Sequence, residues 1–268
     1  MRPRPAVFLG ALLVLALPAA AQLPPWLARG ERLTYNLTLL RLVGGTMVLQ
    51  AHQEDRAKPF AIDMCAVSSA FVSRFAPVDD RMATLLDPGR FTTLVSRKDI
   101  AEGSYRSREV VRFDPTKGTA RRWKNGVEEA PLRTPVPVLD TLGSIYYLRT
   151  LDLSVGGAYR VAVQSGHQVY PLTVTVSRVD TLHTLLGRTR VLVIEPEFRG
   201  SNLLHAKGRL TLYLTTDKTH TPVRITSNLP FGSLTADLAS IERPLRSVLE
   251  SPCGLQAGRE EIDGSQAR

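Results

Sequence analysis

Aromatic residues are scarce in this sequence, at 6% of the chain, and the basic residues are dispersed along it. The densest basic cluster is Arg121-Arg122-Trp123-Lys124, although the formal net charge is +9. Proteins that bind nucleic acid strands combine a basic groove with aromatic side chains on which bases stack. We therefore expect no nucleic-acid partner, whereas a positive excess of this size suits anionic lipid headgroups or acidic glycans.

The motifs of common enzymes and cofactor sites are also missing. The sequence has no G-x-S-x-G elbow, P-loop or dinucleotide fingerprint, and no two histidines have the i, i+2 or i, i+4 spacing of a metal site. The adjacent acids Asp79-Asp80 and Glu128-Glu129 cannot face each other across a cleft, because neighbours on a strand point to opposite faces. We expect Asp80 to pair with an arginine of the sheet instead. The sequence favours a non-enzymatic protein without cofactor or metal, and a catalytic triad of residues distant in sequence remains an alternative.

Cysteine occurs only twice, as Cys65 and Cys253. An oxidising compartment would allow a disulfide between them, and closing so long a loop would stabilise the fold by roughly 4–5 kcal/mol. Cys65 lies in a predicted strand and Cys253 in a tail without pattern, so the sequence does not fix their distance. The alternative is a small buried thiol at Cys65 and an exposed one at Cys253.

The one long apolar run lies at the N-terminus. Arg2 and Arg4 precede an apolar stretch at 6–17, which Pro18 and the small residues 19–21 follow. This is the pattern of a secretory signal peptide, and the run is well short of the roughly 20 residues that cross a bilayer. We expect residues 1–21 to be cleaved near Ala21, residues 22–29 to form a linker, and the mature protein to be periplasmic and not membrane-spanning.

Apolar side chains alternate with polar ones through most of the remaining chain, a period that places them on one face of a strand. The alternation at 33–39 leads through Gly44-Gly45 into a second strand, and six similar runs follow residue 157. Consecutive antiparallel strands without crossover helices predict a mainly β fold, a meander forming a large curved sheet or an open or half barrel. We expect a single β domain at 30–243 and a disordered, polar tail at 244–268.

A single stretch of the mature chain has a convincing helical pattern, near residues 139–150. Asp140 is placed to cap the first turn, and Leu142 and Tyr146 fall on one side of the helix. A helix this short is unstable alone and must pack on the sheet. Leu142, Tyr146 and Arg149 are therefore candidates to line a ligand pocket beneath it. The alternative is that Tyr146 belongs to the core and that Arg149 satisfies carbonyl groups near the end of the helix.

Several spaced motifs together resemble one known family. They are the opening Gly30-Glu31-Arg32-Leu33-Thr34-Tyr35, the helix at 140–149, the hairpin of 212–217 and 222–225, and the closing Phe231-Gly232-Ser233-Leu234. In this order they resemble the exported bacterial family DUF3108, a domain of unknown function, over roughly residues 30–242. The resemblance implies an antiparallel β protein of a Gram-negative-type cell envelope, similar to the half-barrels of lipoprotein carriers. It transfers no catalytic residue.

These observations lead to three functional hypotheses. The first is a non-enzymatic periplasmic protein that binds a lipid or another amphiphilic component of the cell envelope on the concave face of its sheet. The second is a structural or assembly protein of the envelope that recruits another protein through an exposed sheet edge. The third is a hydrolase with an active site that no motif reveals, which would require convergent polar side chains in a cleft.

Overall fold

The computed structural model describes residue 26 and residues 30–39, 42–53, 58–198, 209–229 and 232–243. This part of the chain forms sixteen strands, a short α-helix, α1 (Thr141–Leu148), and a 3-10 helix at Val72–Arg74. The mainly β fold predicted from alternation is confirmed. The strands are β1 (Glu31–Leu39), β2 (Leu42–His52), β3 (Phe60–Ser68), β4 (Asp79–Asp87), β5 (Thr92–Glu102), β6 (Tyr105–Asp114), β7 (Thr119–Lys124), β8 (Val127–Glu128), β9 (Leu132–Arg133), β10 (Leu139–Asp140), β11 (Ala158–Ser165), β12 (Gln168–Thr184), β13 (Gly187–Phe198), β14 (Arg209–Thr215), β15 (Pro222–Leu229) and β16 (Gly232–Glu242).

All sixteen strands belong to one continuous sheet. Its order is β10-β11-β12-β13-β14-β15-β16-β1-β2-β3-β4-β5-β6-β7-β8, and β9 also pairs with β7. Neighbours are antiparallel except β10 and β11. The first and last strands of the described chain lie side by side, with Leu37 opposite Ala236, so the two halves of the meander meet in the middle of the sheet.

The two ends of the sheet approach each other through packing. The backbone N–H of Thr93 in β5 donates to the carbonyl of Val138, which lies beside β10, at 2.9 Å, and the Thr92 hydroxyl donates to the same carbonyl at 2.9 Å. In β11, Val161 joins the main core, whereas Ala162 joins a second cluster formed with β6 and β7. Both faces of β11 are therefore covered, and the two ends of the open curved sheet contact each other without a strand ladder between them.

Helix α1 lies on the concave face of this sheet, and Asp140 caps its N-terminus, as the sequence predicts. The Asp140 carboxylate accepts from the backbone N–H of Gly143 at 3.0 Å and from the hydroxyls of Thr84, Thr93 and Ser96 at 2.7, 3.1 and 3.2 Å. One buried carboxylate thus caps the helix and attaches it to β4 and β5.

Several sequence predictions fall outside the described residues. The signal peptide at 1–21, the linker at 22–29 apart from Trp26, and the tail at 244–268 all lie there and stay predictions. In the stretches that the structure describes, no helix has both the length and the apolar character that a bilayer-spanning helix needs.

Candidate functional site

The C-terminal end of α1 is anchored by a buried ion pair. The side chains of Arg149 and Glu31 are both fully buried, and Arg149 pairs with both Glu31 oxygens, Nη2 to Oε2 at 3.1 Å. Arg243 donates to the same carboxylate from Nε at 2.8 Å. The Arg149 guanidinium also donates to the carbonyl of Thr219 and lies 4.7 Å from the ring centroid of Trp26. Every face of this guanidinium is therefore occupied by the protein.

The charges around Glu31 decide its ionisation. Burial alone raises the pKa of Glu31, but the positive charges and hydrogen bonds of Arg149 and Arg243 outweigh it and lower this pKa below its ordinary value. Glu31 is thus a carboxylate held between two guanidinium groups. Because its oxygens are engaged by these groups, it is a structural anion and not a poised acid or base.

The residues predicted as ligand contacts lie together on the buried side of α1 and at its C-terminal end. Leu142 and Tyr146 are buried with Arg149, and the Tyr146 ring packs edge-on against Trp26 with 5.0 Å between centroids. The Tyr146 hydroxyl and the Trp26 Nε1 have no hydrogen-bond partner in the described part of the chain. Leu142, Tyr146 and Arg149 therefore pack together with Trp26, two hydrogen-bonding groups of Tyr146 and Trp26 are unused, and contact with a ligand stays a prediction.

Beyond α1 the concave face continues as a half-buried apolar surface. Met47 lies opposite Tyr35, and Met64 lies opposite both Leu49 and Met82, so the three methionines share the face that α1 covers in part. On the other side of the sheet centre, Leu37 and Ile225 continue this surface, each opposite Ala236. We call Leu37, Met47, Met64, Met82 and Ile225 the methionine strip; all five are partly buried and pack against the main core.

Charged groups border the methionine strip on one side. Lys98 in β5 lies directly opposite Met82, is partly exposed, and makes no ion pair within the described residues. Asp80, two residues from Met82, accepts from the backbone N–H of Ala101 at 3.1 Å. Within the described residues it forms no ion pair with an arginine, so the expected pairing is wrong there. Burial and the neighbouring Glu102 raise the pKa of Asp80 to about 6. The strip therefore ends at a lysine without an ion pair in the described chain, with Asp80 two residues from Met82 and Glu109 directly opposite Lys98 on β6.

The positions of the methionines in the sequence indicate this surface, but only together with the pairing of the strands. Every methionine after Met1 belongs to the strip. Met47, Met64 and Met82 occupy apolar positions of three predicted strands, but only the register of β2, β3 and β4 brings them together. Methionine is flexible and polarisable, and it suits surfaces that adapt to apolar partners.

The opposite face of β2–β4 contains a second buried polar group. Burial raises the pKa of Asp63 to about 7, and its Oδ2 lies 4.0 Å from Nδ1 of His52. Cys65 on the same face is disulfide-bonded. Cys253, the other cysteine of the sequence, lies outside the described residues, so its pairing with Cys65 stays a prediction.

The described histidines lie apart from one another. His52 faces Asp63, His167 lies 2.9 Å from Glu129, and His220 lies 3.3 Å from the carbonyl of Arg149. Within the ranges that the structure covers, no group of three or more histidine, cysteine, aspartate or glutamate residues is arranged to hold a metal ion.

A solved structure resembles the fold. The crystal structure of a beta-barrel-like protein of the domain of unknown function DUF1849 from Brucella abortus aligns with a TM-score of 0.59 at 12% identity, covering 81% of this chain and 98% of that one. At this identity the likeness concerns the fold alone. No curated protein matches the sequence. Residues 32–239 match the family described as "Protein of unknown function (DUF3108)", which includes most of the concave face, and the chain belongs to the DUF3108 family.

Proposed function

We propose that this DUF3108 protein is a non-enzymatic binding protein of the periplasm that holds the apolar chain of an amphiphilic envelope component on its methionine strip. The observation that carries the proposal is the position of Met47, Met64 and Met82, half-buried on three adjacent strands beside α1. Core methionines of a filled barrel would be completely buried, as Leu33, Leu49 and Ile62 are. Partial exposure on a concave face leaves these side chains available to a ligand.

The charge beside the strip indicates the chemical class of the ligand. Lys98 supplies an ammonium group next to Met82, and no carboxylate of the described chain forms an ion pair with it. An anionic amphiphile would place its apolar chain along the strip and its headgroup at Lys98. In this arrangement Leu142, Tyr146 and Arg149 form the closed, buried end of the site.

Two features weigh against the other hypotheses. The terminal strands of the sheet, β8 and β10, have two residues each, and β10 is already held against β5, which leaves little edge for strand addition. The convergent polar groups under α1 are engaged with one another, Glu31 with two arginines and Asp140 with three hydroxyls. Such groups lack the unengaged acid, base or nucleophile that hydrolysis requires.

Binding of a fluorescent anionic amphiphile tests the proposal. We expect mature protein to bind dansyl-undecanoic acid, with a blue-shifted dansyl emission as the probe leaves water. Replacing the three strip methionines by glutamine, which has a similar shape, should weaken binding at least tenfold, because each change removes apolar contact. Val67→Gln is the matched control, since Val67 lies in β3 on the opposite face and is exposed. Equal affinity of the triple variant and the control would refute the proposed site.

A further inference from the structure

Two aromatic rings project from the connection between β3 and β4. Phe71 and Phe75 flank the 3-10 helix Val72–Arg74 and are 67% and 79% exposed, and their ring centroids lie 5.8 Å apart. The 3-10 helix buries none of its residues. This connection therefore presents its apolar side chains to the outside and does not use them to pack on the sheet.

The start of β2 lies against the same connection and extends the apolar surface. The backbone N–H of Ser69 donates to the carbonyl of Gly44 at 2.7 Å. The residues immediately before Gly44, Leu42 and Val43, are 68% and 64% exposed. We call Leu42, Val43, Phe71 and Phe75 the apolar tip; it lies at the end of the sheet toward which the methionine strip extends from α1.

Hydrogen bonds hold the connection in this conformation. The Ser68 hydroxyl accepts from the backbone N–H of Val78 at 2.9 Å and bonds the Ser73 hydroxyl at 2.7 Å, and the Ser73 N–H donates to the carbonyl of Ser69 at 2.8 Å. These bonds join the two ends of the connection. The exposure of Phe71 and Phe75 is thus a property of an ordered loop, and exposed apolar clusters on ordered loops indicate an interaction surface.

The charge of the surroundings indicates the partner. Arg74 lies between the two phenylalanines, is exposed, and makes no ion pair in the described part of the chain. A second exposed arginine, Arg106, lies at the start of β6 beside the β5–β6 turn, and its guanidinium donates to the carbonyls of Gly103 and Tyr105. Of the nearby acids, Asp79 pairs with Arg81 at 2.8 Å, and Glu102 helps to raise the pKa of Asp80. Arg74, between the two rings, is therefore left to interact with an anionic partner.

We propose that the apolar tip inserts into the surface of an anionic lipid bilayer. A convex tip enters a fluid apolar phase without needing a complementary groove, whereas a protein partner would have to supply one. Arg74 and Arg106 would then lie at the level of the lipid headgroups. This inference goes beyond the proposed binding function. It also suggests how a ligand would reach the site, because the tip would bring the open end of the methionine strip to the membrane.

Vesicle binding tests the inference. We expect mature protein to co-sediment with vesicles of phosphatidylcholine and phosphatidylglycerol more strongly than with phosphatidylcholine alone. The double variant Phe71→Asp/Phe75→Asp should lose at least tenfold in partitioning, and Arg74→Glu should weaken binding only to the anionic vesicles. The matched control is Leu185→Asp/Leu186→Asp, at the exposed turn between β12 and β13, where the two leucines are 47% and 50% exposed.

Each contrary outcome has a defined meaning. Absent vesicle binding by the unaltered protein, or equal losses in both double variants, overturns the inference. A dimer in sedimentation that Phe71→Asp/Phe75→Asp disperses, without vesicle binding, would assign the tip to a second copy of the chain and also overturn it. The triple methionine variant should still bind vesicles, so that failure of the ligand site and failure of the tip are distinguished.

Discussion

The guanidinium of Arg149 and the carboxylate of Glu31, 118 residues apart in the chain, form a fully buried ion pair beneath the end of α1. This pair joins the helix to the first strand of the sheet. Arg243, which follows the last strand, binds the same carboxylate. The beginning, middle and end of the β domain therefore meet at one charged group.

Removing Arg149 should destabilise the protein strongly. The variant Arg149→Met keeps most of the volume but leaves the buried Glu31 with Arg243 as its remaining cation, and loss of one partner of a buried pair costs about 3–5 kcal/mol. The double variant Arg149→Met/Glu31→Gln should lose less than the sum of the single changes, because it removes the buried carboxylate that Arg149→Met deprives of one of its two cations. Urea denaturation of the four proteins measures the coupling. Additive losses would contradict the coupling of these two residues.

Acid should weaken the same pair. The pKa of Glu31 is lowered in the folded protein, so the stability that its ionised form contributes is present above the pKa of the unfolded chain and is lost as pH falls through the folded value. In Glu31→Gln we expect a flatter dependence of unfolding free energy on pH below about 4.5. The control is Glu197→Gln, at an exposed position of β13, which should keep the slope of the unaltered protein.

Asp63 should have the opposite dependence on pH. Its folded pKa is raised to about 7 by burial, so the ionised form is disfavoured by folding and stability falls as pH rises from about 4 through 7. We expect Asp63→Asn to stabilise the protein by about 2–4 kcal/mol at pH 8 and to have little effect at pH 4. Thermal unfolding at the two pH values measures this difference. An equal effect at both would show that Asp63 does not titrate in this range.

The sequence predicts the individual strands and the helix much better than it predicts which strands pair and which distant residues are in contact. Alternation at 33–39 predicts β1 from adjacent side chains alone, and Asp140 marks the start of α1 through the chemistry of helix capping. The pairing of β1 with β16 depends on the path of the whole chain through the sheet, and no local pattern contains it. For the same reason the sequence presents Arg149 as a residue for carbonyls or a ligand. Arg149 does donate to the carbonyl of Thr219, but its main partner is Glu31, which is distant in sequence.

Gly143 is an unfavourable residue for the interior of a helix, and the packing around it explains why it is there. Glycine inside a helix is less favourable than alanine by about 1 kcal/mol. A Cβ at this position, however, would lie 2.8 Å from Oδ1 of Asp140 and 3.1 Å from Cδ2 of Leu86. We expect Gly143→Ala to cost about 1–3 kcal/mol, because the methyl group displaces the cap from β4 and β5. Thr141→Ala, at an exposed position of the same helix, is the control and should be neutral or slightly stabilising in urea denaturation.

The final prediction concerns the charge that selects the ligand. If Lys98 binds the headgroup of an anionic amphiphile beside Met82, Lys98→Glu replaces an attraction by a repulsion of similar size. The affinity for dansyl-undecanoic acid should then fall about tenfold, while a dansylated alkylamine of the same length should bind more tightly.

Lys218→Glu makes the same change in net charge on the exposed β14–β15 turn, so it separates a local effect from the overall field of the protein. A fall of equal size in both variants would assign the preference to net charge and not to Lys98. A preference that reverses only in Lys98→Glu would place the headgroup next to Met82 and fix the direction in which the apolar chain lies along the methionine strip.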